Sequence, residues 1–129
     1  MKIQESAENY LETILILKKR LGQVRSIDIA NELSFSKPSV SNAMKQFREN
    51  EYITVDGNGF ISLTETGEEI AERIYERHDL LTKYFMALGV SEKTALEDAC
   101  RIEHVISQES FEKIKTYYET TMKLNNAEK

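Results

Sequence analysis

The chain has 129 residues, 40% of them apolar, with 17 Lys and Arg against 22 Asp and Glu, a formal net charge of −5, one Pro, five Gly and one Cys. That length allows one domain or two small ones, the scarcity of Pro and Gly points to a mostly helical fold, and a single Cys excludes an intramolecular disulfide and suits a reducing cytoplasm. No apolar run reaches the length of a membrane span, and Met1-Lys2-Ile3-Gln4-Glu5 turns acidic where a signal peptide would turn apolar, so a cytoplasmic protein without a membrane partner is expected.

A first helix is predicted from a cap at Ser6 to about Leu21, with Tyr10, Leu11, Ile14, Leu15 and Leu17 as its apolar face. Glu5, Glu8 and Glu12 crowd its start, where carboxylates suit the positive end of the helix dipole. Asn9 and Glu12 are three apart and share a face. Gly22 ends this helix. Ser26 is the expected cap of a second, Ile27 to Leu33, with Asp28 in its first turn. After a tight turn at Ser34-Phe35-Ser36, a third helix runs from Lys37 to about Asn50, with Pro38 tolerated in its first turn. Val40, Ala43, Met44 and Phe47 point inward, leaving Ser39, Ser41, Asn42, Lys45, Gln46 and Arg48 outside. Two short helices around a three-residue turn make a helix-turn-helix.

Two β-prone runs, Tyr52–Val55 and Phe60–Leu63, flank Asp56-Gly57-Asn58-Gly59 and predict a hairpin. A hairpin directly after a helix-turn-helix is a wing, so residues 1–64 are assigned as a winged-helix DNA-binding domain. From Thr64, a cap, the pattern is helical throughout. A long helix from Glu65 to about Leu88 buries Ile70, Ile74, Leu81, Tyr84, Phe85 and Leu88, and is expected to join the two halves. Gly89 stops it. Ser91 caps a helix whose apolar positions Ala95, Ala99, Ile102 and Ile106 predict a helical run over Thr94–Ser107. A last helix carries Phe111, Ile114, Tyr117, Tyr118 and Met122, with fraying from Asn125 to Lys129. Residues 65–129 are thus an all-helical domain. Phe85, Met86, Val90, Phe111, Tyr117 and Tyr118 are more large apolar residues than a thin three-helix layer can hide, so a homodimer is expected through this half.

Charge is distributed unevenly. Between Lys18 and Asn50, Lys18, Lys19, Arg20, Arg25, Lys37, Lys45 and Arg48 outweigh Asp28, Glu32 and Glu49, so a chain negative overall is positive in its helix-turn-helix. That is the footprint of phosphate contacts to double-stranded DNA. Ser, Asn and Gln on the outer face of the third helix can read base edges in the major groove. Arg25, Ser36, Lys37, Pro38, Ser39, Ser41, Asn42 and Lys45 are the expected DNA-binding residues.

Within Cys100-Arg101-Ile102-Glu103-His104, helical spacing places Cys100, Glu103 and His104 at i, i+3 and i+4 on one face. Thiolate, carboxylate and imidazole together suit a first-row divalent ion. The plainer alternative is a buried Cys packing as a small hydrophobe beside a solvated Glu and a surface His. Three residues on one helix face do not close a coordination sphere, so further ligands must come from elsewhere.

Asn9-Tyr10-Leu11-Glu12-Thr13-Ile14, Ser36-Lys37-Pro38-Ser39-Val40-Ser41-Asn42, Arg77-His78-Asp79-Leu80-Leu81 and Asp98-Ala99-Cys100-Arg101-Ile102-Glu103-His104-Val105 together resemble the diphtheria toxin repressor family of metal-dependent transcriptional regulators, in a compact two-domain form. The resemblance covers the chain to about Ser107. It implies a metal set of Cys100, Glu103, His104, Glu12 and His78, with Cys100 the iron-type choice. Asn9 departs from the pattern, which has Met in the iron type and Asp in the manganese type; an amide oxygen is a weaker, neutral ligand. Thr82 and Leu96 also depart, so the family's ancillary site is expected to be absent. His78 is then either a ligand or a hydrogen-bonded helix histidine.

The fold expected is therefore mainly α with a small β-hairpin wing: an N-terminal winged helix-turn-helix followed by an all-helical dimerisation domain. The function expected is a cytoplasmic, homodimeric, metal-activated DNA-binding repressor of metal-uptake or metal-homeostasis genes, responding to Fe(II) or Mn(II), with Zn(II), Co(II) and Ni(II) as other candidates. Two alternatives are weighed against it. One is a winged-helix regulator not gated by metal, and the other is a metal-dependent hydrolase using Glu103 as general base. The second lacks a visible pocket-forming Gly-rich loop.

Overall fold

The computed structural model describes residues 5–127, so Met1–Gln4 and the last two positions, Glu128 and Lys129, lie outside the described residues. Its elements are α1 (Glu5–Leu21), α2 (Ser26–Leu33), α3 (Lys37–Glu49), β1 (Ile53–Val55), β2 (Ile61–Leu63), α4 (Glu65–Ala87), α5 (Glu92–Ile102) and α6 (Gln108–Ala127). The mainly α fold with a two-stranded hairpin is as expected. The last helix goes further than expected: Asn125 to Ala127 continue α6.

The chain divides into two compact units, the first ending at Tyr75 and the second starting at Glu76, inside α4. In the first unit α1 contributes Leu11, Ile14, Leu15 and Leu17 to a core shared with Ile29 and Ala30 of α2, Val40, Met44 and Phe47 of α3, Ile53 and Ile61 of the hairpin, and Ala71 of α4. The ring of Tyr10 meets Phe35 and Phe47 edge-on, each with centroids 5.6 Å apart, which ties α1 to both helices of the helix-turn-helix.

Local chemistry explains the turns. Gly22 ends α1 at φ 85°, where a side chain would be strained. The cap of α2 is Arg25, not Ser26, because Asp28 reaches back to accept the Arg25 backbone N–H at 2.9 Å. Ser34 closes α2 in the left-handed region, φ 57°, and turns the chain into α3. Ser36 caps α3, accepting the Ser39 N–H at 3.3 Å, with Pro38 in the first turn as expected. In the hairpin Ile53 pairs with Leu63, Thr54 with Ser62 and Val55 with Ile61. One carboxylate oxygen of Asp56 accepts the N–H groups of Asn58 and Phe60, each at 2.9 Å, and so holds the tip. Val24 adds an isolated bridge to Ile61 that sequence periodicity does not reveal.

Thr64 caps α4 and also donates to the Glu51 carbonyl at 2.6 Å. This brings the first turn of α4 onto the end of α3. Gly67 is the contact point: a Cβ there would lie 2.0 Å from the Tyr52 carbonyl oxygen.

In the second unit Leu81, Ala95, Ala99 and Phe111 are buried, and Tyr84 meets Tyr118 edge-on at 6.5 Å. Gly89, at φ 105°, reverses the chain between α4 and α5. Phe111, expected among the surface residues of a dimer, is instead core. Met86, Leu88, Leu96, Val105, Tyr117 and Leu124 are the large apolar residues that remain exposed.

Candidate metal centre and nucleic-acid interface

Ser91 starts α5 by accepting the Thr94 N–H at 3.4 Å. The helix ends at Ile102, earlier than the run to Ser107 that its apolar spacing predicts. Glu103 still bonds back to the Ala99 carbonyl at 2.9 Å, but His104 already belongs to the turn before α6. Cys100, Glu103 and His104 differ in exposure. Cys100 is an exposed thiol, Glu103 is fully buried, and the His104 side chain is 4% exposed. The plainer alternative is corrected too, since it has Cys100 buried and Glu103 solvated.

A carboxylate inside a protein needs compensation. Glu103 receives it unevenly: Oε2 is hydrogen-bonded to one imidazole, whereas Oε1 faces a second imidazole and has no hydrogen bond among the described residues. His78 Nδ1 lies 2.8 Å from Oε2, and His104 Nε2 lies 3.3 Å from Oε1. Burial is the strongest single influence on this carboxyl and works to raise its pKa. The neighbouring His104 and His78 imidazoles together outweigh burial and hold it below its ordinary value. Such N···O separations fit a shared proton. They also fit neighbouring ligands on one ion, because metal–nitrogen and metal–oxygen bonds of roughly 2.0–2.2 Å at a right angle put the ligand atoms about 3 Å apart. Two imidazoles and a carboxylate are a donor set that suits first-row divalent ions.

The other candidates are placed as follows. Glu12 is buried on α1 and Asn9 is half-buried one turn earlier, its backbone carbonyl accepting the Thr13 hydroxyl at 2.8 Å. The Thr82 hydroxyl turns back to the His78 carbonyl at 2.7 Å, and Leu96 is exposed. Sequence reading missed Arg77, which is buried and donates to the carbonyls of Glu103 and Ile106 and to the side chain of Gln108. A signal was present: Arg77 stands three after Ile74 and four before Leu81, an inward position of the α4 pattern.

On α3, Val40, Met44 and Phe47 are buried, whereas Lys37, Pro38, Ser39, Ser41, Asn42, Lys45, Gln46 and Arg48 are exposed, as a reading helix requires. The hydroxyls of Ser36 and Ser39 are 2.8 Å apart at the exposed N-terminus of α3. Arg25 is exposed, with its guanidinium 4.4 Å from the centroid of Phe60 beside the tip of the wing. Lys18 approaches the Ser62 hydroxyl on β2 at 3.5 Å. Basic side chains thus gather beside the wing as well as on α3.

The iron-dependent repressor N-terminal DNA binding domain matches residues 2–59, and the iron-dependent repressor metal binding and dimerisation domain matches residues 64–123. An uncharacterised helix-turn-helix-type transcriptional regulator of Methanocaldococcus jannaschii is 33% identical over 119 residues, covering 91% of this chain and 95% of that one. The helix-turn-helix-type transcriptional regulator MntR of Geobacillus kaustophilus is 34% identical over 109 residues, covering 84% and 77%. Among solved structures, the manganese regulator SloR matches with a TM-score of 0.76 at 26% identity over 92% of this chain, which spans 55% of that one.

Proposed function

The chain belongs to the iron-dependent repressor family, and from that premise we propose that it is a cytoplasmic, homodimeric, metal-activated repressor of metal-uptake or metal-homeostasis genes. The family is one of transcriptional regulators, not enzymes, so the hydrolase alternative is set aside. Residues 1–64 are assigned to reading DNA, and residues 65–129 to holding the metal and the partner subunit.

The observation that carries this reading is the fully buried Glu103 with an imidazole on each carboxylate oxygen. A regulator not gated by metal has no evident use for so costly a group. Glu103, His78 and His104 would hold the ion, with Cys100, Glu12 and Asn9 as further ligands. The ion would supply a cation that ties these groups together. Glu12 and Asn9 lie on α1, in the DNA-reading half, whereas the others come from α4, α5 and the turn after it. Ligation by both sets would fix the angle at which each protomer presents α3. Half-sites one helical turn apart require reading helices about 34–36 Å apart, so that angle decides whether both helices dock. Raising a DNA-competent fraction from about 1% to most of the population takes roughly a hundredfold preference, or about 3 kcal/mol of differential metal binding.

The test is anaerobic titration of chelator-stripped protein with Mn(II), Fe(II) and Zn(II) while following its binding to a duplex selected from random DNA. At least one metal should raise DNA affinity about a hundredfold. Equal affinity with and without every metal would remove the gating.

A further inference from the structure

We propose that Arg77 is a positioning residue for the metal set, a guanidinium strut that fixes the turn from Glu103 to Ser107 and thereby aims the Glu103 carboxylate and the His104 ring. The inference rests on the metal reading above and concerns a residue outside the ligand set.

Locally the turn is closed on one carbonyl, that of Ile102, which accepts the N–H groups of Val105 and Ile106, each at 2.9 Å. A helix leaves its last carbonyls without intrahelical partners, and α5 stops at Ile102 with no glycine in the turn that follows. Arg77, one residue before His78 on α4, takes over that role from a distance. Its Nη1 donates to the Glu103 carbonyl at 3.1 Å and the Ile106 carbonyl at 2.9 Å, which brackets the turn at both ends. Its Nη2 donates to Gln108 Oε1 at 2.8 Å in the first turn of α6. Gln108 is itself oriented, because its amide nitrogen donates to Glu112 at 3.1 Å and so keeps the oxygen toward Arg77. The guanidinium also lies 5.5 Å from the centroid of Phe111, a buried residue of α6.

Geometry gives these bonds their consequence. Glu103 is held through its own carbonyl by Arg77 and through its carboxylate by His78, and Arg77 and His78 are adjacent on one helix. The backbone and the side chain of the same acidic residue are therefore set by neighbouring positions of α4. His104 follows Glu103 inside the bracketed turn. A planar fork serves two carbonyls from one nitrogen and an amide from another in fixed directions, whereas an ammonium would have to reach all three from a single nitrogen on a flexible stem. Arg77→Lys keeps the charge and loses the fork.

The experiment is Co(II) binding to the full chain, followed by visible absorption, which reports ligand number and geometry. Wild type, Arg77→Lys, Gln108→Ala and Glu103→Gln are compared, with far-ultraviolet circular dichroism of each metal-free protein. Loss of such a supporting bond costs roughly 10–100-fold in metal affinity. Arg77→Lys should remain helical, bind Co(II) about 10–100-fold more weakly and give a shifted visible spectrum. Gln108→Ala, which leaves the two carbonyl bonds, should lose several-fold. A helical Arg77→Lys with the affinity and spectrum of wild type overturns the proposal. Should Arg77→Lys fail to fold, Gln108→Ala decides, and unchanged binding there overturns it. Absence of Co(II) binding by wild type, or full binding by Glu103→Gln, instead refutes the metal reading itself.

Discussion

His78 Nδ1 stands 2.8 Å from Glu103 Oε2, joining the interior of α4 to the first residue beyond the end of α5. In the metal-free protein this contact and the one from His104 stabilise Glu103 as a carboxylate, despite burial that works against its charge. A carboxyl held below its ordinary value of 4.5 in the folded chain stabilises the fold at every pH above that value. The contribution is lost as pH falls through the lower, folded value. Metal-free wild type should therefore exceed Glu103→Gln in stability by about 1.5–3 kcal/mol near neutrality, the range for hydrogen bonds to a charged group. The gap should close only below about pH 4.5. Urea melts of both proteins from pH 3 to 7 test this, and a gap that widened on acidification would reverse the sign assigned to Glu103.

On the DNA side, Asn42 and Lys45 are both exposed on α3 but should behave differently. Asn42→Ala removes a group able to read a base edge and should cost about 1–3 kcal/mol on a selected site, with little change on random duplex. Lys45→Ala should weaken both DNAs alike and reduce the slope of log affinity against log salt by about 0.9, one phosphate contact. Fluorescence anisotropy across salt concentrations separates the two. Unchanged specificity in Asn42→Ala would mean that a different face of α3 enters the groove.

Gly67→Ala tests the joint between α3 and α4. In an open helix interior this change gains about 1 kcal/mol from helix propensity. Here the added Cβ would lie 2.0 Å from the Tyr52 carbonyl oxygen, a backbone atom that also accepts the Thr64 N–H at 3.0 Å. Relieving that overlap by backbone movement costs about 1–3 kcal/mol or more. The expected result is a lower urea midpoint, and a higher one would show the contact to be loose.

Gly67 also shows where sequence reading stops. The helix-turn-helix, the hairpin and the caps at Thr64 and Ser91 were legible because each is written locally, in apolar spacing and in residues with hydrogen-bonding side chains. A glycine required by the approach of a distant carbonyl carries no local mark. The end of α5 is similar. Ala95, Ala99, Ile102 and Ile106 keep helical spacing, yet the chain turns after Ile102, with the carbonyls of Glu103 and Ile106 accepting hydrogen bonds from Arg77. Of the candidate site, residue types were legible and environments were not: burial of Glu103 and exposure of Cys100 follow from packing between helices.

Exposed apolar residues of the second unit give a prediction about assembly. Tyr117 is 63% and Leu124 61% exposed along α6, and Leu88 is 63% exposed at the end of α4. In a twofold dimer each such side chain is buried twice, at about 1.5–3 kcal/mol per large side chain. Tyr117→Asp should therefore raise the dimer dissociation constant about a hundredfold or more. Sedimentation at matched concentrations should show wild type as a dimer and the variant shifted to monomer. Its metal-free helical content should be unchanged, because Tyr117 is not core. A variant that stayed dimeric would move the interface off α6.

Metal selectivity gives the last prediction. Cys100 offers a soft thiolate, whereas Glu103, Glu12, His78 and His104 offer carboxylate oxygen and imidazole nitrogen. Thiolate with imidazole favours Fe(II), Co(II), Ni(II) or Zn(II), and a set of carboxylates and imidazoles is kinder to Mn(II). Affinity alone would place Zn(II) above Fe(II), so the metal bound most tightly need not be the one that activates. Zn(II) prefers four ligands in a tetrahedron, and activation on this mechanism needs an ion that also reaches the ligands of α1. Fe(II), or Mn(II) at higher concentration, should therefore give full DNA binding, with Zn(II) bound but incompletely activating. Replacing the thiol and the amide with carboxylates, Cys100→Glu with Asn9→Asp, should raise the Mn(II) response relative to Fe(II). Anaerobic DNA binding against buffered free metal, for wild type and the double variant, measures both rankings. Identical rankings would show that Cys100 and Asn9 do not set selectivity. The exposure of Cys100 would then mark it as a bystander to a set built on Glu103 and its two imidazoles.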